Sequence, residues 1–212
     1  EESREALAER LELLGLVERY RQLKQTLRLA EFADQQAQAV ALAKEISPVS
    51  QVMRDRFKVV LLDEYQDTSA AQAILLRCLF SGTTPAQGQG HPVTAVGDPN
   101  QAIYAWRGAA ASNIIGFPEH FPRVGGESAQ RYELTINRRS GSRILAVGNA
   151  LAAPLTGSSG GGIELRSPEG AAAGEVTAWE FDTLDEELEA LAADIGRRHA
   201  GGTPWQEMAV LT

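Results

Sequence analysis

Two short apolar runs, each stopped by an acid, limit the fold of this chain more than any other feature. Val59-Val60-Leu61-Leu62 runs directly into Asp63-Glu64, and Val93-Thr94-Ala95-Val96 is stopped by Gly97 and Asp98. A continuous apolar run of this length is the mark of a strand buried on both faces in a parallel sheet. Between the two, Thr68 and Ser69 are good N-caps, and Ser69 with Gln72 makes a capping box that opens a helix over Ala70 to Phe80. A loop rich in Gly, Pro and Gln then covers Ser81 to Pro92. Upstream, Ser3 to about Arg56 reads as helix. Leu7, Leu11 and Leu14 fall at i, i+4, i+7, and a second stretch runs through Phe32, Ala39 and Leu42. Pro48 interrupts that signal. Downstream, Gly125-Gly126 marks a boundary. Strands are expected at Tyr132 to Thr135, Val176 to Trp179 and Met208 to Leu211, and helices at Ser140 to Leu151 and Leu184 to His199. Gly157 to Gly162 reads as a flexible loop. Strands alternating with helices argue for α/β layers with parallel sheets.

Composition narrows the functions available. The 212 residues are 43% hydrophobic, enough for one ordinary domain or two small ones. With 20 Lys+Arg against 28 Asp+Glu the formal charge is −8, the wrong sign for binding nucleic acid by bulk attraction, so any such site has to be local. Cys78 sits in an apolar run and reads as a small buried hydrophobe in a reducing compartment. His91, His120 and His199 are too scattered for metal-ligand spacing and are expected at the surface. No apolar run approaches the roughly 20 residues of a membrane span. The acidic opening Glu1-Glu2-Ser3-Arg4-Glu5 is the opposite of a signal peptide, so a cytoplasmic, nucleoid-associated location is expected, with no membrane partner. The chain starts inside a helical pattern without Met and stops in what reads as an unfinished strand, as an excised segment would.

Acids at the carboxyl end of a strand lie where open α/β sheets bind ligands. A nucleotide-hydrolysing site needs one carboxylate to hold Mg²⁺ and another to orient the attacking water, and Asp63 and Glu64 suit those roles in that order. An Asp-Glu pair alone is equally well read as a capping acid and a surface acid. The longer string decides between them: Leu61-Leu62-Asp63-Glu64-Tyr65-Gln66-Asp67-Thr68-Ser69 resembles the DExQDT segment of UvrD-like superfamily 1 DNA helicases. Val96-Gly97-Asp98-Pro99-Asn100-Gln101-Ala102-Ile103-Tyr104-Ala105-Trp106-Arg107-Gly108-Ala109 is similar to that family's GDxxQSIYxFRGA. Leu134-Thr135-Ile136-Asn137-Arg138-Arg139-Ser140 is similar to its LTxNYRS.

The resemblance implies an ATP-dependent helicase that couples hydrolysis to 3′-to-5′ translocation on single-stranded DNA and to unwinding at duplex junctions, in repair or recombination. It implies a P-loop NTPase (RecA-like) core with ATP and Mg²⁺ as cofactors. Residues 1–57 would be the helical return of subdomain 1B, 58–124 part of motor domain 1A, and 131–212 the first part of motor domain 2A. Gln101, in a loop facing the same cleft as Asp63, would sense the terminal phosphate. Arg139 would be the arginine finger, reaching across a cleft to the transferred phosphoryl group. Tyr104, Trp106 and Arg107 combine two aromatic faces with a guanidinium, a set suited to stacking unpaired bases and pairing with a phosphate, although such aromatics are otherwise more often core. Arg138 stands where the family has a tyrosine that stacks on adenine, a role a guanidinium plane can also fill. Ala102 replaces the usual serine, and Pro99-Asn100 replaces more acidic residues. No GxxxxGK[ST] occurs, so the backbone cradle and lysine that grip the phosphates are lacking, and these residues alone are expected to be inactive without the rest of the helicase chain. The competing readings are a motor segment of a RecB or AdnAB-like helicase-nuclease with its nuclease partner, an inactive DNA-binding module, and a DEAD-box RNA helicase. Against the last stand Gln66-Asp67, the Tyr104/Trp106 pair and the lack of a Ser-Ala-Thr string.

Overall fold

A computed structural model describes residues 2–155 and 163–211. The expected loop at 157–162 lies outside them. The chain divides into two compact units, Glu1–Glu133 and Leu134–Thr212.

In the first unit three helices precede the sheet: α1 (Glu2–Leu27), α2 (Phe32–Glu45) and α3 (Ser47–Arg56). The break falls at Ile46, and Pro48 sits in the first turn of α3. Proline is tolerated there because its missing N–H would have had no helical partner. The α1–α2 turn is fastened by Lys24, whose ammonium bonds Glu31 at 2.9 Å and Asp34 at 2.7 Å and lies 4.8 Å from the Tyr20 ring centroid. The Tyr20 hydroxyl and then Lys24 hold the Glu31 carboxyl below its usual range, and the Glu31 N–H, 2.9 Å from Asp34 Oδ2, and then Lys24 do the same for Asp34.

Strand β1 (Val60–Leu62) pairs in parallel with β2 (Val93–Ala95), Val60 opposite Val93 and Leu62 opposite Ala95. Helix α4 (Ala70–Phe80) connects them, opened by the Ser69/Gln72 capping box. The strand expectation is half met. Pairing is parallel, but Leu61 is 76% exposed while Val60 and Leu62 face the core, so the sheet is covered on one face only. Side chains alternate across a strand, and among the described residues no layer covers the Leu61 side.

The core joins Ala43 of α2, Leu79 and Phe80 of α4, Tyr65, and the stacked rings of Phe117 and Phe121. Phe117 opens and Phe121 caps α6 (Phe117–His120), which follows the one-turn α5 (Ser112–Ile115). Cys78 packs against this core. The last carbonyls of α4 have no helical donors. Ser50 donates to Cys78 O at 2.9 Å, and the buried Arg54 guanidinium donates to Leu79 O at 2.8 Å and Ala86 O at 2.9 Å. Of the three histidines only His199 is exposed as expected, and it stacks on Trp205. His91 stacks on Phe80 with its Nε2 2.8 Å from Phe57 O, and His120 is half-buried. Burial lowers the pKa of His120, with Arg77 adding to the effect.

The second unit holds α7 (Ser142–Ala152) and α8 (Leu184–Ala200), the latter opened by a Thr183/Glu186 capping box. None of its three expected strands is present among the described residues. Residues 132–135, 176–179 and 208–211 are irregular, and the one isolated parallel bridge is Ile136 to Arg166. A strand is fixed by its neighbour's hydrogen bonds, and among the described residues these segments form no ladder beyond the bond from Arg166 N–H to Thr135 O, 2.7 Å, beside that bridge. Instead the Ser142 and Arg143 N–H groups that open α7 donate to Ala172 O and Ala173 O, and Asn149 bonds both backbone groups of Leu165. Among the described residues the sheet is therefore the two-stranded β1–β2 one of the first unit.

Candidate functional site

Asp63 leaves the carboxyl end of β1, and its Oδ1 accepts the Glu64 N–H at 3.0 Å. That short cap goes with an unusual backbone: Glu64 adopts φ 49°, ψ 43°, the left-handed region. A tight turn, Tyr65–Asp67, follows. The Tyr65 N–H donates to Val96 O at 3.0 Å, and its ring is buried edge-on against Phe117, with centroids 5.6 Å apart. Burial pushes the Tyr65 hydroxyl pKa up. Both carboxylates are exposed at the rim of an open cleft of ≈ 480 Å³, lined by Asp63, Glu64, Asp67, Thr68, Gln72, Leu75 and Leu76.

The second loop leaves the carboxyl end of the neighbouring strand. Asp98 organises it: Oδ1 accepts the Asn100 N–H at 2.9 Å, and Oδ2 accepts from Gln101 Nε2 at 2.9 Å. Gln101 does not line the cleft beside Asp63, because its amide is engaged by Asp98 on an exposed turn. The two loops are joined through Gln66, which is 1% exposed. Its Nε2 donates to Glu64 Oε2 at 2.8 Å, and its Oε1 accepts the Asp98 N–H at 3.1 Å.

Beyond Gln101, Tyr104 and Trp106 have ring centroids 6.4 Å apart, and the Arg107 guanidinium lies 4.5 Å from the Trp106 centroid and 5.4 Å from that of Tyr104. Trp106 is 74% exposed, so it is not a core residue of this unit. The loop then folds back on the first motif. Ser69 bridges Ala109, and Asn113 Nδ2 donates to Thr68 O at 2.7 Å. Gln66 lies inside the DExQDT-like string, but the sequence assigns it no role in the site, and Asn113 belongs to none of the three motifs. Both act across long separations that no local pattern reveals.

Arg138 and Arg139 belong to the second unit and are exposed. Asn137 Oδ1 accepts the N–H groups of Arg139 at 3.0 Å and Ser140 at 2.9 Å, a side-chain turn that shapes the backbone just before α7.

The donor set at the cleft suits a small hard cation. Asp63, Glu64 and Asp67 offer carboxylate oxygens, yet among the described residues no cluster of three or more such side chains could hold an ion alone. Mg²⁺ is usually bound this way, by one or two carboxylates with water and substrate phosphate completing its shell. No described helix is long and apolar enough to cross a membrane.

Comparison with known proteins bears on these loops directly. A family model for the UvrD/REP helicase N-terminal domain matches residues 2–122. The chain is similar to ATP-dependent DNA helicase UvrD1 of Mycobacterium tuberculosis strain H37Rv, at 34% identity over 65% of this chain and 18% of that protein. It is 37% identical to DNA helicase II of Escherichia coli K12, over 58% of this chain and 15% of that protein. It is 28% identical to ATP-dependent DNA helicase PcrA of Staphylococcus aureus Mu50, over 85% of this chain and 23% of that protein. The chain therefore spans less than a quarter of the length of these relatives. The last alignment, 181 residues, is longer than the first compact unit and so reaches into the second.

Proposed function

The chain belongs to the UvrD/REP helicase family, and on that premise we propose that it forms part of an ATP-driven motor that moves 3′ to 5′ along single-stranded DNA and opens duplex at a single-strand junction. The observation that carries this reading is the pair of neighbouring parallel strands whose carboxyl ends deliver Asp63-Glu64 and Asp98-Gln101 as two hydrogen-bonded loops. In a P-loop core of RecA type that edge of the sheet meets the triphosphate.

Each residue has a role in the proposed cycle. Asp63 holds Mg²⁺, which when bound offsets charge on the phosphate oxygens. Glu64 orients the attacking water and accepts its proton as oxygen bonds to the terminal phosphorus and the bond to the leaving diphosphate breaks. Gln101 exchanges its bond to Asp98 for one to the terminal phosphate, so its loop differs before and after hydrolysis. Arg139 offsets developing charge on the transferred group, and Arg138 stacks on the base. Tyr104, Trp106 and Arg107 grip unpaired DNA by stacking, which needs no basic surface and is compatible with a formal charge of −8. The phosphate-gripping loop belongs to a longer chain working in the cytoplasm on repair or recombination substrates, and these residues alone do not hydrolyse ATP.

The test is Glu64→Gln in the full-length protein. DNA-stimulated ATP hydrolysis should fall to background while nucleotide binding survives, and a wild-type rate would remove Glu64 from the chemistry. A purified 212-residue chain with DNA-stimulated ATPase activity would refute the dependence on a longer one.

A further inference from the structure

We propose that Gln66 is a positioning residue that holds the Glu64 carboxylate in its working direction and makes that direction depend on the loop carrying Gln101. The proposal rests on the ATPase reading above and goes beyond it, because it assigns a role to a side chain that touches neither nucleotide nor DNA.

Gln66 and Tyr65 are the largest fully buried side chains of the described structure. A buried primary amide is costly unless both ends are bonded. Here both ends are, and the partners fix which end is which: a carboxylate accepts only from the NH₂, and a backbone N–H donates only to the carbonyl. The relay therefore runs from Glu64 Oε2 through Gln66 to the Asp98 N–H, and from the Asp98 carboxylate to Gln101 Nε2. Three residues beyond Gln101 stands Tyr104, the first of the aromatic cluster.

A glutamine that merely stapled the fold would bond two buried backbone groups. One end of Gln66 instead fixes an exposed carboxylate, whose immobilisation adds little to stability because water competes for it. What immobilisation adds is direction. Gly97 supports the same reading, since a Cβ there would lie 2.4 Å from Gln66 Oε1 and 3.3 Å from the Tyr65 and Gln66 backbone nitrogens. Glycine leaves room for the amide to reach the Asp98 N–H, so Gly97→Ala displaces the relay without removing any of its groups.

The experiment uses the full-length protein with Gln66→Met, Gly97→Ala, Gln66→Ala and the Gly97→Ala/Gln66→Ala pair, beside Glu64→Gln. Steady-state hydrolysis with saturating oligo-dT, affinity for a non-hydrolysable ATP analogue, affinity for oligo-dT, and amide hydrogen exchange across 97–101 are measured. Gln66→Met and Gly97→Ala should each lower kcat roughly ten- to a hundredfold, the rate equivalent of one hydrogen bond to a charged group. Analogue and DNA affinities should be unchanged, and amides across 97–101 should exchange faster. Gly97→Ala should cost little further in the Gln66→Ala background, where the amide it collides with is gone. A wild-type kcat in either single variant, a parallel loss of analogue affinity, or full additivity in the pair would overturn the proposal. Because Gly97→Ala retains Gln66, it reads the coupling even if Gln66→Met fails to fold. An inactive Glu64→Gln beside fully active Gln66→Met and Gly97→Ala sinks only the relay, whereas a fully active Glu64→Gln sinks the hydrolytic role on which it rests.

Discussion

Replacing Trp106 with alanine in the full-length protein separates packing from function because the structure makes the two outcomes differ in size. The ring is 74% exposed, so truncation removes little buried apolar area. The ring meets Arg107, 4.5 Å from its centroid, and Tyr104 at 6.4 Å. A cation–π contact at an exposed site is worth about 0.5–1 kcal/mol, so the expected loss of stability is about 1 kcal/mol or less. Stacking of one base contributes about 1–3 kcal/mol, so the affinity for oligo-dT should weaken by roughly 5- to 150-fold. Half-saturation of the ATPase by DNA should move to higher concentration by the same factor, with unstimulated hydrolysis unaffected. Fluorescence anisotropy with labelled oligo-dT, ATPase titration and thermal unfolding together give the three numbers. Trp106→Phe keeps a stacking face and should retain most of the affinity. A large drop in unfolding temperature with unchanged DNA affinity would refute the reasoning and make Trp106 a packing residue.

Two further outcomes are expected. Arg139→Ala should slow turnover by on the order of 10³-fold, the scale of a missing charge-stabilising arginine, with DNA affinity unchanged; single-turnover hydrolysis checks this, and a wild-type rate removes the assignment. His120 should destabilise the first unit in acid. Burial keeps its folded pKa below the usual 6.5, with Arg77 adding to the effect and Glu119 opposing it, so the unfolded chain takes up a proton first as pH falls. Its contribution is complete above pH 6.5 and is lost as pH falls from there through the folded pKa. Unfolding temperature measured from pH 8 to 5 should decline over that window and decline less in His120→Gln, whereas superimposable profiles would exclude the effect.

What the sequence made legible was local. The Ser69/Gln72 box and α4 are readable because a helix cap is settled within four residues. The parallel pairing of β1 with β2 is likewise visible, since both runs end in acids and a helix lies between them. The coverage of the sheet was not, because four consecutive aliphatic residues look alike whether one face is buried or two. Leu61 is the residue that distinguishes the cases. The three strands expected in the second unit failed for a related reason: alternation supplies a face, and only a neighbouring strand supplies the ladder. In the site, the motifs mark Asp63, Glu64, Gln66 and Gln101, but not that Gln66 reaches the Asp98 N–H across 32 positions or that Asn113 reaches Thr68 across 45. No period encodes such contacts.

Glu64 shows why the motif residues cannot be read as stabilising ones. A left-handed backbone at a residue with a Cβ costs on the order of 1–2 kcal/mol, and glycine there would avoid it. Glycine would also remove the carboxylate. The conformation is held by what surrounds it: the Asp63 cap on its N–H, the Gln66 amide on its side chain, and the Tyr65 N–H bonded to Val96 O one residue later. The last contact is the decisive one, because it extends the β1–β2 pairing past the point where β1 ends and so fixes where the chain must turn. The strain is therefore set by the register of two parallel strands. Any shift of that register would move Glu64 and the Asp98 loop together, which ties the carboxylate to the glutamine loop through the backbone as well as through Gln66.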